Sequence, residues 1–348
     1  MSPSKKNAER DRLADPVWKR WGPYLAERAW GTVREDYSPN GDAWSYFPHE
    51  QARSRAYRWN EDGMAGICDE DQFLCFALAL WNGKDPVLKE RMFGLTNSEA
   101  NHGEDPKEYW WYVDSTPTHS WMTWRYMYPQ DEFPYEELVR VNRERLRTEP
   151  EYELVDTGVF DEGRYWDVTV DYAKAAADDI CIRIRVRNAG EQMATLDVLP
   201  TIWFRNTWSW GLDDRRPQLR ANGGAITAEH HTLGAFTLSC DGSPELLFCD
   251  NESNLPKLWG APGTTAFPKD GINDHVVDGA ATVNPAGTGT KAAARYRVSV
   301  AGGETAEITL RLAPEERATS GKAFTGVLDD RRAEADAFYA ALTPKEAT

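Results

Sequence analysis

The segment "DICIRIRVRNAG" constrains this chain most. Ile180, Ile182, Ile184 and Val186 fall on one side, and Cys181, Arg183, Arg185 and Arg187 on the other. A helix scatters such a pattern around its axis, whereas a strand sorts it into an apolar face and a wet face. The segment therefore reads as a half-solvated antiparallel strand. The same texture runs through "YELVDTGVF", "RYWDVTVDYAK", "ATLDVLPTIWF", "GAFTLSC", "PELLFCD", "ARYRVSVAGG" and "TAEITLRLAP", with "RNAG" and "VAGG" as turns. Many antiparallel strands with few helices predict a mainly β fold: two large sheets packed as a sandwich. There is no obvious internal repeat and no helix–strand alternation of the dinucleotide-binding kind.

The first 150 residues read differently. Residues 1–17 are charged and expected to be disordered. From Trp18 to Trp59 aromatics, Gly and Pro predict irregular structure and short helices. Phe73–Trp81 is short and apolar throughout, which suits a strand buried on both faces. Eight of the twenty residues from Tyr109 to Tyr128 are Trp or Tyr, split by the turn-forming "DSTPTHS" into two aromatic strands. Their inward positions are expected in the core. Residues 134–149 predict a helix with acids first, bases later, and Leu138, Val141 and Leu146 near one face. After the β region, which closes near residue 315, the stretch "SGKAFTGVLDDRRAEADAFYAALTP" carries Phe324, Leu328, Phe338 and Leu342 near a 3.6 period. This helix, within 316–348, either lies back on the sandwich or joins it to another domain.

Composition bounds the partners. The net charge of -16 argues against a nucleic-acid backbone or an anionic membrane and leaves neutral ligands such as sugars open. Fifteen tryptophans permit stacking on sugar faces. The five cysteines match no zinc or redox spacing and read as free thiols of a reducing cytoplasm. The opening residues contain no apolar signal core, and no run is long enough to cross a bilayer. The sequon at Asn251 means little without an export signal.

No nucleophile elbow, phosphate loop or His-Glu-x-x-His motif occurs, and no cofactor or metal is expected. His102 beside Glu104 and Asp105 reads as a solvated loop, and His230–His231 as strand neighbours facing opposite ways. Carboxylate pairs such as Glu35–Asp36 and Glu61–Asp62 arise freely among 56 acids. Three polar runs are denser than a plain surface requires. They hold Arg58, Trp59, Asn60, Glu61 and Asp62; Asn97, Glu99, Asn101 and His102; and Arg205, Asn206, Trp208 and Trp210. Planar donors beside aromatic faces are what carbohydrate recognition uses. The first two runs supply the substrate-binding candidates: Arg58, Trp59, Glu61, Asp62, Asn97, Glu99, Asn101 and His102.

The runs "WKRWGPYLAERAWGTVREDYSPNGDAWSYFPHEQARSRAYRWNEDGMAGICD", "LCFALALWNGKDPVLKERMFGLTNSEANHGEDPKEYWWYVDSTPTHSWM" and "LPTIWFRNTWSWG" resemble bacterial glucosidase-like proteins of glycoside hydrolase family 63. The resemblance spans about Trp18 to Pro344. It implies an N-terminal β-supersandwich, here 18–315, a linker helix, and an (α/α)6 barrel that carries the inverting acid and base, an Asp and a Glu. "DDRRAEADAFYAALTP" resembles the segment just before that barrel, so no position here inherits either catalytic residue. The resemblance thus implies a non-catalytic domain that is inactive alone. Its loops shape a carbohydrate pocket, and Phe324, Leu328, Phe338 and Leu342 meet a barrel in cis or in trans. Two other readings are a free-standing carbohydrate-binding module and an interaction domain that completes an enzyme in trans.

Overall fold

The computed structural model describes residues 7–27, 38–40, 46–59, 61–95, 105–211 and 213–344. Among them, period-two segments assemble into two antiparallel sheets. The six-stranded sheet runs, edge to edge, β1 (Trp21–Gly22), β2 (Met64–Asp69), β3 (Leu74–Trp81), β8 (Ala194–Phe204), β14 (Lys291–Val300) and β12 (Glu245–Cys249). The nine-stranded sheet runs β13 (Thr288–Gly289), β9 (Gln218–Asn222), β10 (Ala225–His230), β11 (Gly234–Cys240), β15 (Thr305–Ala313), β7 (Asp179–Asn188), β6 (Tyr165–Ala176), β5 (Trp121–Pro129) and β4 (Trp110–Ser115).

The core between the sheets follows the alternation. Ile180, Ile182, Ile184 and Val186 of β7 meet Phe76, Leu78 and Leu80 of β3 in one buried cluster. The opposite side of β7 carries cross-strand ion pairs: Arg183 and Arg185 both reach Asp171 of β6. The aromatic pair of strands divides by face and position. Trp124, Tyr126 and Tyr128 of β5 are buried, as expected of inward positions. On β4, at the sheet edge, Trp111, Tyr112 and Val113 are exposed.

The six-stranded sheet is buried on its outer side too. Cys75, Ala77, Ala79 and Trp203 lie there under loops rather than under water. β3 is thus the doubly buried strand its unbroken apolar run predicts.

Several expectations are corrected. "YELVDTGVF" is not a strand but holds a 3₁₀ turn, Leu154–Thr157, and a second, Asp161–Gly163, follows it. Glu153 and Asp156 cap each other's backbone, and Gly158 turns the chain at φ 74°. Within the charged N-terminal stretch, Ala8–Leu13 forms α1, capped by the Asn7 side chain. Glu9 is fully buried there and accepts hydrogen bonds from Thr118 N, Thr118 Oγ1 and Ser120 Oγ. After α2 (His49–Ala52), the helix predicted over 134–149 is α3, Tyr135–Glu144. It stops short because Arg145 turns extended, so Leu146 lies outside it, exposed.

Two short helices, α4 (Leu255–Trp259) and α5 (Gly271–Asp278), lie in the loops above the six-stranded sheet. The last helix, α6, spans Lys322–Leu342 and lies back on the sandwich. Phe324, Leu328 and Ala335 pack on Trp121, Ala173 and Cys181 of β5, β6 and β7. No described helix is long and apolar enough to cross a membrane.

Candidate functional site

The first polar run splits into a surface part and a buried part. Arg58 and Trp59 are at the surface, with the Arg58 guanidinium 4.4 Å from the Trp59 ring centre and Trp59 49% exposed. Glu61 and Asp62, two and three residues on, are 1% and 6% exposed. They lie beneath the loops on the outer face of the six-stranded sheet. Gly63 allows this descent: a Cβ there would fall 2.5 Å from that of Ala77 on β3. Asn97, Glu99, Asn101 and His102 lie outside the described residues.

Below the surface Glu61 and Asp62 enter an ionic cluster. Arg91 Nε donates to Asp62 Oδ2 at 3.0 Å, and Arg91 Nη1 to Glu90 Oε1 at 2.6 Å. Lys291 Nζ lies 3.5 Å from Glu90 Oε2, and Lys269 Nζ 3.7 Å from Glu61 Oε2. Asn251 Nδ2 donates to Glu61 Oε1 at 3.0 Å and to the Phe204 carbonyl at 3.0 Å. Three carboxylates thus face three cations with little water to share.

Burial pushes the Glu61 carboxyl above its usual range, partly opposed by Lys269. Burial pushes Glu90 the same way, but Lys291 and Arg91 more than reverse it and hold its carboxyl well below. Burial lowers the Lys269 ammonium despite Glu61.

Two loops are stitched together over this layer. Lys269 Nζ donates to the Arg55 carbonyl at 3.0 Å, and Ala56 N to Ser253 Oγ at 2.9 Å. Asp270 gathers Ser54 Oγ at 2.6 Å and Asn254 Nδ2 at 3.0 Å.

The third polar run joins the first. Arg205 Nη1 reaches the Trp59 carbonyl at 3.3 Å, and Asn206 Nδ2 the Asn251 carbonyl at 2.8 Å. Trp208 Nε1 donates to Glu252 Oε1 at 2.9 Å. Asn251, the sequon residue, is fully buried and its amide is committed inside the fold.

Sequence reasoning missed Glu90, Arg91, Lys269 and Lys291. Glu90 and Arg91 do interrupt an apolar stretch in "VLKERMF", and such charges mark either solvent or a buried partner.

Histidine geometry also differs from expectation. β10 ends at His230, so His231 is free of the strand alternation, and the two rings stack 4.2 Å apart. His231 Nε2 lies 2.9 Å from Asp213. Among the described residues no three His, Cys, Asp or Glu side chains group as metal ligands.

Of the four residues assigned to a barrel interface, Phe324, Leu328 and Phe338 are buried within this chain, the first two directly against the sheet. Leu342 is 53% exposed, and Tyr339 beside it 41%.

No family model matches the chain. It is 38% identical over 383 aligned positions to the uncharacterized protein YMR196W of Saccharomyces cerevisiae. That match takes in 96% of this chain but only 35% of the relative, so the chain spans about a third of the yeast protein's length. Among solved structures, a polysaccharide lyase superposes on 75% of this chain and 28% of its own, at a TM-score of 0.32 and 11% identity. That overlap is slight.

Proposed function

We propose that these 348 residues form the non-catalytic β-supersandwich of a larger glycoside hydrolase resembling family 63, of α-glucosidase type. In this reading they cover a catalytic barrel and lend loops to its carbohydrate pocket. The observation that carries the proposal is the match of nearly the whole chain to a third of a longer relative. About two thirds of that relative lies outside the aligned part, which is room for a separate catalytic domain.

The cluster's geometry supports an inactive part. An inverting glycosidase needs two carboxyl groups roughly 6.5–9.5 Å apart with sugar and water between them. The cavity beside Glu61, Asp62 and Glu90 has room for about 20 Å³ of water-sized occupant. That admits a water molecule and excludes a sugar ring. Arg91, Lys269 and Lys291 neutralise these carboxylates in place. The surface above is better suited to sugar: the half-exposed Trp59 ring is flanked by Arg58, and Arg205 holds the Trp59 backbone carbonyl. The same ring favours a second reading, a stand-alone carbohydrate-binding module. Burial of Phe324, Leu328 and Phe338 counts against docking in trans through those side chains.

The test uses the yeast relative at full length and the part of it that aligns with this chain. Hydrolysis of α-linked glucosides by the full-length protein only is the expected result. Turnover by the aligned part, or none by the full-length protein on any α-glucoside, overturns the proposal.

A further inference from the structure

One cavity in the buried layer is lined by Asp62, Asn251 and Trp203, together with Arg91, Lys269 and Lys291. Asp62, Asn251 and Trp203 each keep a buried polar atom without a hydrogen-bond partner: Asp62 Oδ1, Asn251 Oδ1 and Trp203 Nε1. Their residues are 6%, 0% and 6% exposed. The Asn251 assignment is forced by its partners. Its other atom, Nδ2, faces two acceptors, Glu61 Oε1 and the Phe204 carbonyl, so Oδ1 is the oxygen left over. Asp62 likewise commits Oδ2 to Arg91. The residues that line this cavity of about 20 Å³ thus carry two unpartnered acceptors and one unpartnered donor.

We infer that this cavity is a binding site for one water molecule, which acts as a three-way junction. Water alone fits all three orphans. Its two hydrogens answer Asp62 Oδ1 and Asn251 Oδ1, and its lone pairs accept from Trp203 Nε1. A metal cation would face an indole N–H and the charges of Arg91, Lys269 and Lys291. A halide would satisfy the N–H but confront two oxygen acceptors. An occupant larger than one water exceeds the space. The junction ties the segment after Trp59 to β8 through Trp203 and to the loop after β12 through Asn251. These are the three pieces that hold the Arg58–Trp59 surface in place. The inference does not depend on whether that surface touches sugar.

The experiment is a high-resolution crystal structure of the 348-residue chain, from crystals grown separately with sodium bromide and with rubidium chloride. Expected is a density peak without anomalous signal, about 2.7–3.2 Å from all three orphan atoms. Anomalous bromide or rubidium in the cavity overturns the inference. So does a cavity without density, or one in which the three side chains pair with one another. In solution, the Trp203 indole proton should show a direct dipolar contact with a long-lived water, lost in Trp203→Phe. An indole signal at that position without the contact also overturns it.

Discussion

Replacing Lys269 by Met removes one cation from the buried cluster while nearly preserving the volume of its stem. Lys269 is 4% exposed, and its ammonium lies 3.7 Å from Glu61 Oε2, 3.0 Å from the Arg55 carbonyl and 3.9 Å from the Tyr57 ring centre. Its loss leaves Glu61 without that counter-charge and the Arg55 carbonyl without that donor. Breaking one partner of a buried pair costs about 3–5 kcal/mol. Burial already raises the Glu61 carboxyl, so without Lys269 it takes up a proton more readily still.

The cost of Lys269→Met should therefore be smaller at low pH, where Glu61 is neutral, and grow as pH rises and ionisation is forced. Adding Glu61→Gln should restore part of the loss at neutral pH, with a coupling of about 0.5–3 kcal/mol. Urea denaturation followed by tryptophan fluorescence reads both effects. With a slope of about 3 kcal/mol per molar, the single variant's midpoint falls by about 1 M or more. A single variant within about 0.5 kcal/mol of the parent would refute the reasoning, for that is an ordinary surface effect. A double variant that adds losses instead of recovering them would refute it too.

Three further outcomes follow from named contacts. Leu328→Ala, buried on Trp121, Ala173 and Cys181, should cost about 2–5 kcal/mol unless α6 detaches first; faster amide exchange confined to 322–342 would reveal detachment, and an unchanged helix would contradict the packing. Glu27 is 5% exposed, and burial raises its carboxyl to about 7. The folded state then keeps a proton that the unfolded chain releases near 4.5, so stability present below that pH is lost as pH rises towards about 7, by about 3 kcal/mol. Glu27→Gln should flatten that part of the pH–stability curve, and an identical slope would remove the assignment. Trp59→Ala should weaken any calorimetric signal with malto-oligosaccharides by about 1 kcal/mol, the scale of one aromatic face; equal affinity in both proteins would take sugar off that ring.

What the residues reveal in advance follows from how local each signal is. Alternation in β7 and the unbroken run of β3 report burial directly, because side-chain direction is set by the strand itself. The two sheets and the final helix were legible for that reason. "YELVDTGVF" misled because its apolar residues alternate while its Glu153–Asp156 caps act over three residues and win locally. The N-terminal helix was hidden because Glu9 finds Thr118 and Ser120 more than a hundred residues away. Glu61 and Asp62 could be singled out as part of a dense polar run. Their depth could not, because the cations that make burial tolerable, Arg91, Lys269 and Lys291, come from separate loops and a different strand. The apolar period of α6 is equally compatible with lying back on the sandwich and with joining another domain; Phe324 and Leu328 against Trp121, Ala173 and Cys181 place that face on the sheet.

A turnover assay on the purified 348-residue chain, with aryl α-glucosides and α-linked disaccharides, is the most direct check. Hydrolysis should not exceed the uncatalysed rate at any pH, because in this account the catalytic acid and base belong to a separate barrel, and Glu61, Asp62 and Glu90 of the described cluster are held in ion pairs around a space too small for a sugar. Sustained release of glucose that disappears when Glu61, Asp62 or Glu90 alone is changed to its amide would contradict that conclusion.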